Sequence, residues 1–115
     1  MTQKSFKAVT QEISKGLAQF RAQVPEVQAG FSALHQASMK DGALDAKTKE
    51  LIALAVGVAA RCDGCIGFHT QALIKLGVNK AELAEMLGVA VMMGGGPSLM
   101  YAGEAMRAFE EFGGQ

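Results

Sequence analysis

The sequence predicts an all-α fold, a single-domain bundle of about six helices spanning residues 1–115. Three observations carry that expectation. Apolar residues return at three- and four-residue intervals along most of the chain, no stretch alternates apolar and polar residues as a half-buried strand does, and Gly, Pro and Asx residues interrupt the pattern at helix-length spacings.

Phe6, Val9, Ile13, Leu17, Phe20 and Val24 form the stripe of a first amphipathic helix, which Pro25 ends because its ring cannot continue a helix begun before it. Pro25 suits the first turn of a second helix marked by Val27, Phe31, Leu34 and Ser38, with Asp41-Gly42 as its stop. His35 lies beside that stripe and is read as a surface residue. Asp45 can cap a third helix, with Leu44, Thr48, Leu51, Ile52, Ala55 and Ala59 on one face. After Glu50, LIALAVGVAA is apolar on every side, so this helix is expected to be buried all round. Its second face carries Glu50, Ala53, Leu54 and Gly57, mostly small residues that admit another backbone, and a carboxylate there needs a partner.

Arg61 to Gly64 breaks the pattern, and Cys65, Ile66, His69, Ala72, Leu73 and Leu76 then trace a fourth helix ending at Gly77. The cysteines fall at its start. Asn79 and Glu82 are spaced as a capping box for a fifth helix facing the core through Leu83, Met86, Leu87, Ala90 and Val91. Glycines 94 to 96 end it, and Pro97 opens a sixth that runs through Met100, Tyr101, Ala105, Ala108, Phe109 and Phe112. Met86, Met92, Met93, Met100 and Met106, at helical spacing, are read as core filler.

Composition narrows the function. Eleven basic and eleven acidic residues cancel without runs of either sign, which disfavours nucleic-acid and anionic-membrane partners. Half the residues are hydrophobic and 19% are charged, a richer apolar share than a small solvated monomer needs, so a homo-oligomer is expected. The opening MTQKSFKAVT lacks the apolar core of a secretory signal, and the uncharged stretch from Met86 to Gly103 is interrupted by three glycines and a proline, so a cytoplasmic location without a membrane span is expected. Two cysteines in a reducing compartment point to reactive or metal-binding thiols rather than a structural staple.

The chemistry is expected in ELIALAVGVAARCDGCIGFH, residues 50–69. On one helix Cys65 and His69 are a turn apart on the same side, and Cys62 lies a turn before Cys65. A thiolate in a first helical turn is stabilised by the positive end of the dipole, and His69 can accept or return its proton. Such a thiolate attacking a peroxide becomes a sulfenic acid, which a second thiol three residues away condenses with to form a disulfide. Glu50 completes the set if it hydrogen-bonds the far nitrogen of His69. In an antiparallel hairpin turning near Arg61, Glu50 lies about 16 Å and His69 about 12 Å from the turn, a mismatch that a glutamate side chain can span if its face points inward.

The pattern Glu-x11-Cys-x2-Cys-x3-His, filled by Glu50, Cys62, Cys65 and His69, resembles the signature of the carboxymuconolactone decarboxylase superfamily, on its alkyl hydroperoxide reductase D-like branch. The likeness runs from about Leu44 through GGGPSLMYAGEA to Phe112. It implies an all-α fold, assembly as a trimer or a hexamer of paired trimers, and thiol-dependent peroxidase or disulfide reductase activity with no cofactor. It also implies that Cys65 is the thiol activated by His69 through Glu50, that Cys62 is its disulfide partner, and that the partners are a hydroperoxide and a thioredoxin-like or lipoyl reductant. Some members place a histidine directly before the second cysteine, where this chain has Gly64. Decarboxylase members lack the cysteine pair, which disfavours lactone decarboxylation. Two alternatives stay open: a zinc site built from Cys62, Cys65, His69 and Glu50, although structural zinc sites usually use two separated ligand pairs, and a non-enzymatic redox-sensing or assembly module.

Overall fold

The computed structural model describes residues 4–115; residues 1–3, the start of the segment read for a signal sequence, lie outside the described residues. Six α-helices follow in order: α1 Phe6–Gln23, α2 Pro25–Met39, α3 Ala46–Ala59, α4 Asp63–Lys75, α5 Lys80–Gly94 and α6 Gly96–Glu111. Among the described residues there is no strand, and no helix is long and apolar enough to cross a membrane.

Helix boundaries fall where the backbone's unpaired groups find partners. Asp45 accepts from the Thr48 N–H at 2.8 Å and opens α3. Asn79 and Glu82 bond reciprocally and open α5, with Lys47 Nζ 2.6 Å from Glu82 Oε2 tying that end to α3. Pro25 and Pro97 sit in the first turns of α2 and α6, where a missing N–H costs nothing. Glu111, at the end of α6, caps the start of α1: its carboxylate accepts from the Ser5 hydroxyl at 2.6 Å and from the Phe6 and Lys7 N–H groups at 2.7 and 3.2 Å. The Ser5 hydroxyl, and after it these N–H groups, hold the Glu111 carboxyl below its ordinary range despite some desolvation.

The core joins Leu54 and Val58 of α3, Ile66 and Leu73 of α4, Leu83 and Leu87 of α5, and Ala105 and Phe109 of α6, with Phe6 inserted from the first turn of α1. Helix α4 lies at the centre, packed on α3, α1 and α6, whereas α2 touches only α1 and α3. Beyond Phe6 and Thr10, α1 leaves the core, and α2 has no buried residue. The predicted stripe of α1 packs at its start on the core and on α4, as Ile13 does beside Gly64, and at its end meets α2, where Leu17, Phe20, Val27, Gln28 and Phe31 line an apolar cleft of about 300 Å³.

Three sequence readings are corrected here. Helix α3 is not buried all round: its Glu50, Leu54, Gly57, Val58 side is covered, but Ile52 and Val56 face outward, Val56 being 62% exposed. The methionines are not uniformly core filler: Met86 and Met106 pack against the core, while Met92, Met93 and Met100 are exposed, Met93 by 77%. The stripe of α4 stops short of Leu76, which is also exposed. The physical reason is common to all three. A chain of 115 residues has one side of each peripheral helix to bury, and here the other side is apolar too.

Candidate active site

The corner between α3 and α4 is built without spare residues. Helix α3 ends in a Schellman motif, in which the Arg61 N–H bonds the Val58 carbonyl at 3.1 Å and the Cys62 N–H bonds the Gly57 carbonyl at 2.9 Å. Arg61 occupies the left-handed position, with φ 58°. Cys62 then serves α4 as N-cap, its Sγ accepting from the Cys65 N–H at 3.1 Å. One residue thus finishes one helix and starts the next. Asp63 occupies the first turn of α4, where its charge complements the dipole, and pairs with Lys4 Nζ at 3.1 Å.

The cysteines are joined in a disulfide, with Cα atoms 5.2 Å apart, at the N-terminus of α4. Both are partly buried. Cys65 lies against α3 at Gly57, where a Cβ would come within 2.9 Å of the Cys65 Cβ, so this close approach requires glycine. One turn beyond Cys65, His69 Nδ1 is 2.6 Å from Glu50 Oε2. Glu50 is 6% exposed and His69 is mostly covered, with 23% of its side chain accessible. An ionised carboxylate can only accept, so Nδ1 donates and Nε2 is the nitrogen left for other work.

The structure therefore brings Glu50 to His69 across two helices and Cys62 to Cys65 within one corner, and it sets the two pairs a turn apart on α4. Glu50 faces inward, as the hairpin estimate requires. Among the described residues no three His, Cys, Asp or Glu side chains are arranged to hold a metal ion.

One further side chain enters the site. The ring of His35 on α2 lies 6.5 Å, centroid to centroid, from that of His69, at an interplanar angle of 30°. The sequence reading left His35 on the surface. It is indeed exposed, but α2 sets it beside the mostly covered His69. No periodicity links positions 35 and 69; the available signal was that these are the chain's two histidines.

A model of the carboxymuconolactone decarboxylase family matches residues 25–111, well over half of the chain. The chain belongs to the carboxymuconolactone decarboxylase family. A crystal structure of a family member from Legionella pneumophila, 62% identical, superposes with a TM-score of 0.91 over 93% of this chain and 96% of its own. A second family member, from Thermotoga maritima, is 29% identical, with a TM-score of 0.78 over 89% of this chain and 87% of its own; an involvement in antioxidative response has been suggested for it. An uncharacterised Cupriavidus necator protein is 36% identical over 99 residues, which make up 86% of this chain and 88% of that protein. Family membership covers α2 to α6 and leaves α1 outside the matched residues.

Proposed function

We propose that this carboxymuconolactone decarboxylase family protein is a thiol-dependent peroxidase or dithiol–disulfide oxidoreductase of the alkyl hydroperoxide reductase D-like branch, working in the cytoplasm as a homo-oligomer. The observation that carries the reading is a Cys62–Cys65 disulfide at a helix N-terminus, one turn from a histidine held by a buried carboxylate.

In the reduced protein, His69 Nε2 takes the proton of the Cys65 thiol, and Glu50 balances the imidazolium that forms. The thiolate attacks the terminal oxygen of a hydroperoxide; the O–O bond breaks, Cys65 becomes a sulfenic acid, and the departing alkoxide takes the proton back from His69 as an alcohol. The Cys62 thiol then displaces water from the sulfenic acid, forming the disulfide. The sulfurs have lost two electrons in all, and an external dithiol restores them by exchange through a mixed disulfide. The helix N-terminus favours the thiolate form in each step, and the Cys65 N–H already points at Cys62 Sγ.

The same family name covers decarboxylases, but nothing in a disulfide-forming pair serves decarboxylation. The suggested antioxidative role of the Thermotoga maritima relative agrees with the redox reading. The deciding experiment treats the dithiol protein with an organic hydroperoxide and counts thiols. The expected result is loss of two thiols per chain, formation of the alcohol, and recovery of both thiols with a thioredoxin-like or dihydrolipoyl reductant. An unchanged thiol count overturns the peroxidase assignment.

A further inference from the structure

We propose that His35 is a proton-transfer residue that takes the reductant thiol's proton and exchanges it with His69, so that the path from the covered site to solvent runs from His69 through one water to His35. The inference rests on the redox reading for its physiological meaning, and on the geometry of two rings for its substance. Glu50 occupies His69 Nδ1 at 2.6 Å, leaving Nε2 to serve Cys65 on the same helix face. When the disulfide closes the site, His69 has lost its thiol partner and retains one free nitrogen.

The second histidine stands 6.5 Å away, centroid to centroid, tilted by 30°. Ring nitrogens lie about 1 Å out from a ring centre, so where a nitrogen of each ring is turned toward the other the two stand about 4.5 Å apart at this separation, the span of one water with two hydrogen bonds of about 2.8 Å. The rings are thus too far apart to stack or bond directly, and close enough for a single water to bridge them. Exposure differs in the direction that a path to solvent requires: His69 is mostly covered, while His35 is exposed on a helix with no buried residue.

The step served is opening of the disulfide. An incoming thiol gives its proton to His35, and its thiolate attacks Cys62 Sγ. The Cys62–Cys65 bond breaks as a mixed disulfide forms, the bridging water hands the proton held by His35 to His69 Nε2, and the imidazolium so formed, balanced by Glu50, gives that proton to the departing Cys65 thiolate. Both imidazoles end neutral, and charge and proton count balance. The second reductant thiol releases Cys62 and completes the two-electron transfer.

The test follows dithiothreitol opening of the disulfide at neutral pH, by acid quench and thiol titration, in the wild-type chain, His35→Gln and His35→Phe. Removing a proton carrier lowers the rate about tenfold or more, and free imidazole restores it in His35→Gln because a diffusing ring replaces the missing one. Phenylalanine fills the ring's place without carrying a proton and stays slow until imidazole is added. Wild-type rates in both variants, or slowed rates that imidazole leaves unchanged in variants with wild-type far-ultraviolet circular dichroism, overturn the proposal. Hydroperoxide turnover is measured separately: a wild-type protein inert to hydroperoxide but with His35-dependent, imidazole-rescued disulfide opening refutes the peroxidase reading while supporting the role of His35.

Discussion

His69 Nδ1 sits 2.6 Å from Glu50 Oε2, and this contact joins the centre of the fold's tightest helix pair to its thiol chemistry. Replacing the carboxylate by an amide removes the charge and, by offering an N–H, allows the wrong imidazole tautomer. Glu50→Gln is expected to lower hydroperoxide turnover about 10²- to 10⁴-fold with little change in the helical signal. Steady-state peroxide consumption checks it, and wild-type turnover in Glu50→Gln removes the carboxylate from the mechanism.

Gly57 lets α3 approach α4 closely at Cys65. A methyl group there meets the Cys65 Cβ at 2.9 Å, so one of the two helices must shift to admit it. Gly57→Ala should cost about 1–3 kcal/mol, read from a lowered urea midpoint, and should slow disulfide formation as Cys65 is displaced.

Three helices of this chain end in the same motif. Helices α4 and α6 place Gly77 and Gly113 at the left-handed position, with φ 81° and 89°, while α3 places Arg61 there with φ 58°. A side chain in that conformation costs about 1 kcal/mol that glycine avoids. Arg61→Gly is expected to raise stability by about that amount in denaturant titration. Unchanged or lowered stability would show that the arginine side chain compensates for its own backbone.

Acid should loosen the α1 docking through Glu111. Its folded-state carboxyl is held below its ordinary range by the Ser5 hydroxyl and the Phe6 and Lys7 N–H groups, so its contribution is fully present above the unfolded-state value and disappears as pH falls through the lowered folded-state value. Stability measured from neutral pH down into the acid range is expected to fall along that window. In Glu111→Gln that part of the slope should vanish, because no proton is taken up at the site.

The outward apolar side chains predict association. Phe31 on α2 is 63% exposed and Met93 on α5 is 77% exposed, and among the described residues neither is covered. Light scattering is expected to give a multiple of the 12.0 kDa chain mass. Phe31→Glu or Met93→Glu should shift that mass toward the monomer, and a wild-type monomer would refute the proposal of a homo-oligomer.

Helix ends were the most legible part of the sequence, because their signals are local. Asn79 with Glu82, Asp45, Pro25 and Pro97 each solve a hydrogen-bonding problem within one turn, and each sits where its pattern places it. The reach from Glu50 to His69 was legible for a similar reason, since two helices and one corner fix the distance, but the side of α3 on which Glu50 faces was not. What escaped was the choice among apolar faces. Ile52 and Val56 look as much like core as Leu54 does, and hydrophobicity around a whole helix does not say which side this chain covers and which it leaves outside. His35 escaped because its nearness to His69 depends on how α2 settles against α1 and α3, a relation with no local signature.

Glu50 lies seven residues before Gly57, and His69 lies seven residues after Cys62, while the hydrogen bond from Cys62 to Gly57 fixes the joint between those two arms. Each arm is close to two full helical turns. Spacing in this motif is therefore an angular quantity. Adding or deleting one residue on either arm turns its end group by about 100° and shifts it by about 1.5 Å, which aims either the carboxylate or the imidazole away from the other. The number of residues between Glu50, Cys62 and His69 is therefore part of the site in the same sense as the side chains themselves.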